Sequence, residues 1–272
     1  MKYLFWIIAA GVIIYISPRL LINYLFPLSF SCNPTSILPG IYKIEGPAAK
    51  SKNVYILTDG PLTVIDPGLF YSPRCIKKAV NSLGYKITDI KYIILTHYHI
   101  DHAGSAGALR DLSGATVIAS SQDKMYIEGE LMHSYPRAPW YLRFGLSLIH
   151  LLMHNYDCRV DLTVEDGDLI PILSGVKVIF TPGHTPGGIS LYCEDRRILF
   201  SGDALQYSNG QLTRAKTIYS HDLEADVESI RHLSTLEFEC ILPGDGQPLL
   251  EGASELAKEY VRKLIEQKAS EK

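Results

Sequence analysis

A chain of 272 residues with 47% hydrophobic and 20% charged residues has the make-up of a globular protein, with one large domain or two small ones. Its net charge of −3 supplies no basic field, so no nucleic-acid partner is expected. Five cysteines (Cys32, Cys75, Cys158, Cys193 and Cys240) lie far apart with no Cys-x-x-Cys. That pattern argues against a disulfide framework and a thiolate zinc site, and the thiols are read as reduced and buried.

The run from Tyr3 to Ser17 carries no charge. As a helix it spans only about 22 Å, short of a hydrocarbon core near 30 Å. Arg19 interrupts it and Leu20 to Phe26 resumes the apolar character. Residues 1–26 are therefore read as a hydrophobic, single-pass membrane anchor in which Arg19 reaches the interface. A cleaved signal peptide and a buried N-terminal helix are the alternatives, the first without a convincing small-x-small cleavage site. Lys2 set against Arg19, Lys43, Lys50 and Lys52 leaves the side of the membrane open. Residues 27–39 hold three prolines and read as a linker. The catalytic domain is placed at 40–272.

Strands are predicted at Ile41–Ile44, Asn53–Thr58 and Leu62–Asp66, with Asp59-Gly60 as a hairpin turn between the last two. Ser72-Pro73 opens a helix to about Leu83. Lys91 to Leu95 is a β-branched and apolar run that reads as a buried strand. It leads into Thr96-His97-Tyr98-His99-Ile100-Asp101-His102, and a helix follows. A strand at Thr116–Ala119 and a helix capped around Ser120–Asp123 come next. Residues 129–157 look like a helical insertion. In it Arg143, Ser147, His150 and His154 form a polar stripe on an otherwise apolar helix, Trp140–His154. That helix is read as packed on the domain, as a lid over the site, or as a second membrane contact. His150 and His154 at i, i+4 could in principle bind metal, but other residues fill that role.

The second half repeats the pattern. Strands are predicted at Leu169–Ile172, Val176–Thr181, Ile189–Cys193, Arg197–Ser201 and Cys240–Leu242, and helices at Glu224–Leu236 and Ser254–Gln267. Two halves of this kind suggest two sheets packed face to face with helices outside.

Four metal-capable side chains within six positions at a strand end suit zinc, iron or manganese. The His-x-His-x-Asp-His signature resembles that of the metallo-β-lactamase superfamily. Thr181-Pro182-Gly183-His184, Phe200-Ser201-Gly202-Asp203 and Leu242-Pro243-Gly244-Asp245 match its later blocks in order. The resemblance covers about Gly40 to the C-terminus and implies an α/β fold, the αββα sandwich of two mixed sheets flanked by helices. It departs at Asp245, where the family usually has His.

By that resemblance His97, His99 and His184 bind one divalent metal, Asp101 and His102 a second, and Asp203 bridges both. Asp245 stands where a histidine would complete the second site. Zinc is expected, with manganese or iron possible at the second site because its ligands are rich in carboxylate. Asp101 is the candidate for a catalytic role beyond ligation. Asp66 is expected behind the ligands, or as a plain turn cap. The expected activity is attack of a metal-bound hydroxide on an ester, thioester, lactone or related acyl bond of a small-molecule substrate. That substrate is apolar if the Trp140–His154 helix shapes its pocket. A mononuclear iron oxygenase built on His97, His184 and Asp203, of the persulfide dioxygenase type, is the alternative enzyme. A non-catalytic, membrane-tethered binding protein is the alternative outside catalysis.

Overall fold

The computed structural model describes residues 32–45, 52–69, 72–145 and 157–270. Among them, one sheet runs in the order β1 (Thr35–Leu38), β2 (Ile41–Glu45), β3 (Asn53–Leu57), β4 (Thr63–Ile65), β5 (Tyr92–Ile94), β6 (Thr116–Ser120), β7 (Leu162–Val164). Its first four strands pair antiparallel, and β4 to β7 pair parallel. A second sheet combines β8 (Leu169–Ile170), β9 (Val176–Phe180), β10 (Ile189–Cys193), β11 (Ile198–Gly202) and β14 (Cys240–Pro243) in the order β14-β11-β10-β9-β8. A two-stranded ribbon, β12 (Gln206–Ser208) and β13 (Gln211–Thr213), stands apart from both. The helices are α1 (Ser72–Ser82), α2 (Ile100–Ala103), α3 (Ala106–Ser113), α4 (Lys124–Ile127), α5 (Leu223–Leu233) and α6 (Ala253–Ser270).

The αββα layering follows from residues that alternate along strands buried on both faces. Tyr55, Leu57, Ile65, Ile94 and Ile118 of the first sheet meet Val178, Leu191, Phe200 and Leu242 of the second in a shared core. Their neighbours Val54, Ile56, Val64, Ile93 and Val117 face the other way, onto Ile76, Ala79 and Val80 of α1 and Ala106 and Leu109 of α3. Ile179, Tyr192, Leu199 and Ile241 turn outward onto Ile230 and Leu233 of α5 and Ala257 and Val261 of α6. Each such side chain taken fully from water contributes roughly 1.5–3 kcal/mol. The strong intersheet core fixes register, because a one-residue slip would exchange the two faces.

Two expectations change. The stretch read as a linker up to Pro39 contains β1, whose Thr35 and Ser36 pair with Lys43 and Tyr42. Cys32 and Cys75 are joined in a disulfide across a sequence separation of 43, with Cα atoms 4.9 Å apart, so the reading of all five cysteines as reduced thiols is corrected. The spacing in sequence carried no sign of this pair, because α1 brings Cys75 back to the start of the domain. Cys158, Cys193 and Cys240 are free and buried.

No helix among the described residues is long and apolar enough to cross a membrane. The expected anchor over 1–26 lies outside the described residues, as does the part of the Trp140–His154 helix that holds His150 and His154. Residues 140–145 are helical, with Trp140, Tyr141 and Phe144 exposed by 80%, 63% and 68%.

Candidate metal centre

The centre gathers where β4, β5 and β11 end and where loops after β9 and β14 return. β5 stops at Ile94, and the chain turns through Thr96 and His97 into α2, for which His99 is the N-cap. The backbone N–H groups of His102 and Ala103 donate to His99 O at 2.9 and 2.8 Å, so the tight turn sets His99 and His102 relative to each other. The loop after β9 carries His184. There Gly183 has φ +130°, and a Cβ on it would meet the backbone of Asp226 at 2.2 Å. Only glycine allows this approach. Asp203 directly follows β11.

His97, His99 and His184 each offer a ring nitrogen within 4.8 Å of the others, and His102, Asp203 and Asp245 form a second such group. Asp203 faces both groups. Its Oδ1 is 3.4 Å from His102 Nε2 and its Oδ2 is 3.6 Å from His184 Nε2. His99 Nδ1 and His184 Nε2 lie 2.9 Å apart. Asp101 Oδ2 is 4.0 Å from His102 Nε2. The structure thus brings together all seven residues singled out from the sequence, Asp245 among them.

The chemistry of this donor set fits metal ions. The buried atoms His97 Nε2, His102 Nε2, Asp203 Oδ1 and Asp245 Oδ1 have no hydrogen-bond partner among the described residues. Buried polar atoms are seldom left unpaired in folded proteins. Burial lowers the proton affinity of His97 and His99 well below the ordinary imidazole range. Burial, then His102, brings His184 down to about 3. Neutral imidazoles are the form that binds metal. Burial would lower His102 as well, but Asp203, Asp101 and Asp66 outweigh it and raise the ring to about 10. Burial pushes Asp245 up to about 6, and Asp203 adds to the rise. Burial alone would raise Asp101, but His102 and Lys52 hold it well below the usual carboxylate range.

Behind the ligands, Asp66 accepts from Thr96 N at 2.8 Å, from Thr96 Oγ1 at 2.6 Å and from His102 Nδ1 at 3.0 Å. Thr96 Oγ1 in turn lies 3.0 Å from His97 Nδ1. The family model of the metallo-beta-lactamase superfamily matches residues 49–245. The chain belongs to the metallo-beta-lactamase superfamily.

A probable metallo-hydrolase of Bacillus subtilis strain 168, YflN, is 31% identical over 226 residues, covering 76% of this chain and 84% of that protein. The hydroxyacylglutathione hydrolase of Brucella ovis is 32% identical over 117 residues, but these cover only 43% of this chain and 34% of that one. The metallo-beta-lactamase family protein TTHA1429 of Thermus thermophilus superposes with a TM-score of 0.63 at 25% identity, over 84% of this chain and 80% of that one. The clustered histidines and aspartates on this superfamily scaffold make the chain a metal-dependent hydrolase of an acyl or ester-type bond, with two ligand groups consistent with a binuclear centre.

Three residues of the site gave no signal in the sequence. Lys52 Nζ lies 2.5 Å from both Asp101 Oδ2 and Asp245 Oδ2. Asp123, read only as a helix cap, ties the two histidine loops together. It accepts from Tyr98 N at 3.1 Å, Thr185 Oγ1 at 2.8 Å and Gly187 N at 2.7 Å. Tyr135 stacks on the His99 ring with centroids 5.4 Å apart. Lys52 sits in an ordinary polar stretch, and Asp123 and Tyr135 meet their partners far along the chain, which no local pattern marks.

Proposed function

We propose that the chain is a membrane-attached hydrolase of apolar acyl esters or thioesters, with zinc at the three-histidine site. The observation that carries the reading is Asp203, whose two oxygens face the two ligand groups at 3.4 and 3.6 Å. His97, His99 and His184 supply the nitrogens that suit zinc, while Asp101, His102, Asp203 and Asp245 form a harder set that admits manganese or iron. These residues would hold a metal, which would supply an acidified water, with a pKa of about 7, and polarisation of the scissile carbonyl. The residues hold and orient. Asp66 fixes the His102 ring with Nε2 toward Asp203. Asp101, partly exposed and paired with Lys52, is the candidate for a catalytic role beyond ligation.

The finer substrate class draws on the exposed Trp140, Tyr141 and Phe144, which offer an apolar surface to an acyl chain. The partial match to a hydroxyacylglutathione hydrolase favours including thioesters. Attachment to a membrane rests on the uncharged run from Tyr3 to Ser17. The disulfide of Cys32 with Cys75 favours an oxidising compartment for the domain, since such bonds are rare where thiols are kept reduced.

The test is the full-length chain in detergent, analysed for metal and assayed on ester, thioester, lactone and phosphodiester substrates. Metal-dependent hydrolysis of an acyl bond is expected, without oxygen uptake. Iron-dependent oxygen uptake in place of hydrolysis would replace this reading with an oxygenase. Release of intact protein by carbonate extraction of native membranes would remove the anchor.

A further inference from the structure

The second ligand group already holds a cation of the chain's own. Lys52 Nζ is 2.5 Å from Asp101 Oδ2 and 2.5 Å from Asp245 Oδ2, on two of the carboxylates placed above in the second ligand set. Its side chain is less than one-quarter exposed. The lysine is held there by more than its charge. Lys52 forms an isolated antiparallel bridge with Asp245. The next residue, Asn53, donates from its backbone N to Gly244 O at 2.8 Å, and from Nδ2 to Pro243 O at 2.8 Å and Gly246 O at 3.0 Å. Two residues further on, Tyr55 Oη donates to Pro243 O at 2.8 Å. The start of β3 is therefore stapled to the very loop that carries Asp245. Gly244 completes the fit, because a Cβ there would meet His102 Cε1 at 2.6 Å and Asp203 Oδ1 at 3.0 Å.

Three carboxylates, Asp101, Asp203 and Asp245, converge on this position around one imidazole. Packed together without a cation they repel one another. An ammonium hydrogen-bonded to two of them offsets part of the charge that a divalent ion would. An ammonium and a divalent ion drawn to the same carboxylates would lie at near-contact distance, where like charges repel strongly in a partly buried site.

We propose that the Lys52 ammonium and the second metal ion compete for one position, so that the resting chain keeps one metal tightly and binds the other only by displacing the lysine. The inference rests on the metal-hydrolase reading above and adds an internal competitor to it. The exchange of His for Asp at position 245 then has a physical partner. A neutral imidazole would offer the ammonium an acceptor without charge, whereas the Asp245 carboxylate anchors it.

The experiment counts ions on the full-length chain, loaded with Mn2+ and exhaustively dialysed, for wild type, Lys52→Met and Lys52→Ala. Elemental analysis gives the number bound, and spin coupling in the EPR spectrum reports paired ions. Wild type is expected to retain about one ion and both variants about two, with the second dissociation constant at least about tenfold lower in the variants. A second measurement needs no variant. Acetic anhydride should modify Lys52 slowly at about one equivalent of metal and several-fold faster in excess metal, as read by peptide mass spectrometry. Equal ion counts and second dissociation constants within about twofold in all three proteins, or Lys52 acylation independent of metal, would overturn the competition. A wild-type chain that retains no metal at any loading would instead overturn the metal-hydrolase reading itself.

Discussion

Asp66 Oδ2 accepts a hydrogen bond from His102 Nδ1 at 3.0 Å, with both side chains at most 2% exposed. Asp66 holds this pose at a backbone φ of +48°, a region that a non-glycine residue adopts only when its surroundings compel it. The compulsion is visible in its backbone bond to Ile94 O at 2.9 Å and its two bonds from Thr96. The carboxylate orients the His102 ring so that Nε2 faces Asp203. Partners of this type typically change metal affinity 10- to 100-fold. Asp66→Ala is therefore expected to weaken the second site by about 10- to 100-fold in chelator competition, with Asp66→Asn in between. Unchanged affinity in both variants would reduce Asp66 to a turn residue.

His97 and His99 supply two of the three nitrogens of the first group. The double variant His97→Ala, His99→Ala should lose both the tightly held metal and hydrolysis. Elemental analysis checks the first and the substrate panel the second. Full metal content in that variant would sink the assignment of the first site.

The pH dependence of stability carries a signature of Asp123. Burial pushes its carboxyl up to about 6, against the pull of the bonds from Thr185, Gly187 and Tyr98. An unfolded aspartate titrates near 3.9. Between about pH 4 and 6 the folded chain thus binds more protons at this group than the unfolded one. Its contribution to stability falls as pH rises through that window and is constant above it. A rise of this size corresponds to roughly 3 kcal/mol. The difference in unfolding free energy between pH 4 and pH 7 should therefore change by about that amount on Asp123→Asn, measured by urea titration of metal-free chain. Parallel pH profiles would refute the raised carboxyl.

Much of the fold was legible because it rests on local signals. Strand ends, the Asp59-Gly60 turn and the helix after Ser72-Pro73 follow from residue pattern alone. The candidate ligands His97, His99, Asp101 and His102 were legible because they fall within six positions, and His184, Asp203 and Asp245 because each closes a short block with its own turn residues. What escaped acts across the chain. Lys52 meets Asp245 at a separation of 193 residues. The pair Cys32–Cys75 depends on where α1 packs. β1 was masked by prolines at 34 and 39, and β12 and β13 are three residues each, too short to show alternation.

The proposed part of helical residues 140–145 in substrate choice can be tested at Phe144. Phe144 is 68% exposed, so truncating it removes little packing from the core. Surface substitutions of this kind usually stay within about 0.5 kcal/mol. Phe144→Ala should thus leave the melting temperature nearly unchanged while lowering the preference for long-chain over acetyl esters. Specificity ratios from kcat/KM on a chain-length series provide the measurement. A ratio unchanged in a stable variant would take the helix out of substrate recognition.

Asp245 is where the preference of the second site can be tested. Its carboxylate Oδ2 holds Lys52 at 2.5 Å, and its Oδ1 is buried without a hydrogen-bond partner among the described residues. The same carboxylate thus balances the lysine and would serve a metal that takes the lysine's place. Asp245→Ala removes both functions and should spare metal at His97, His99 and His184 while weakening the second site. Asp245→His replaces a charged oxygen donor with a neutral nitrogen. Imidazole suits zinc, and hard carboxylate oxygens suit manganese. Zinc occupancy of the second site should therefore rise relative to manganese in Asp245→His. A metal-bound water facing one less negative charge should ionise at lower pH, so the acid limb of the pH–rate profile should also move down. Competition loading with equimolar zinc and manganese, followed by elemental analysis, checks the first outcome, and the pH dependence of kcat/KM the second. If Asp245→Ala keeps both metal content and rate, Asp245 serves the turn between Gly244 and Gly246 and the second site lies with Asp101, His102 and Asp203 alone.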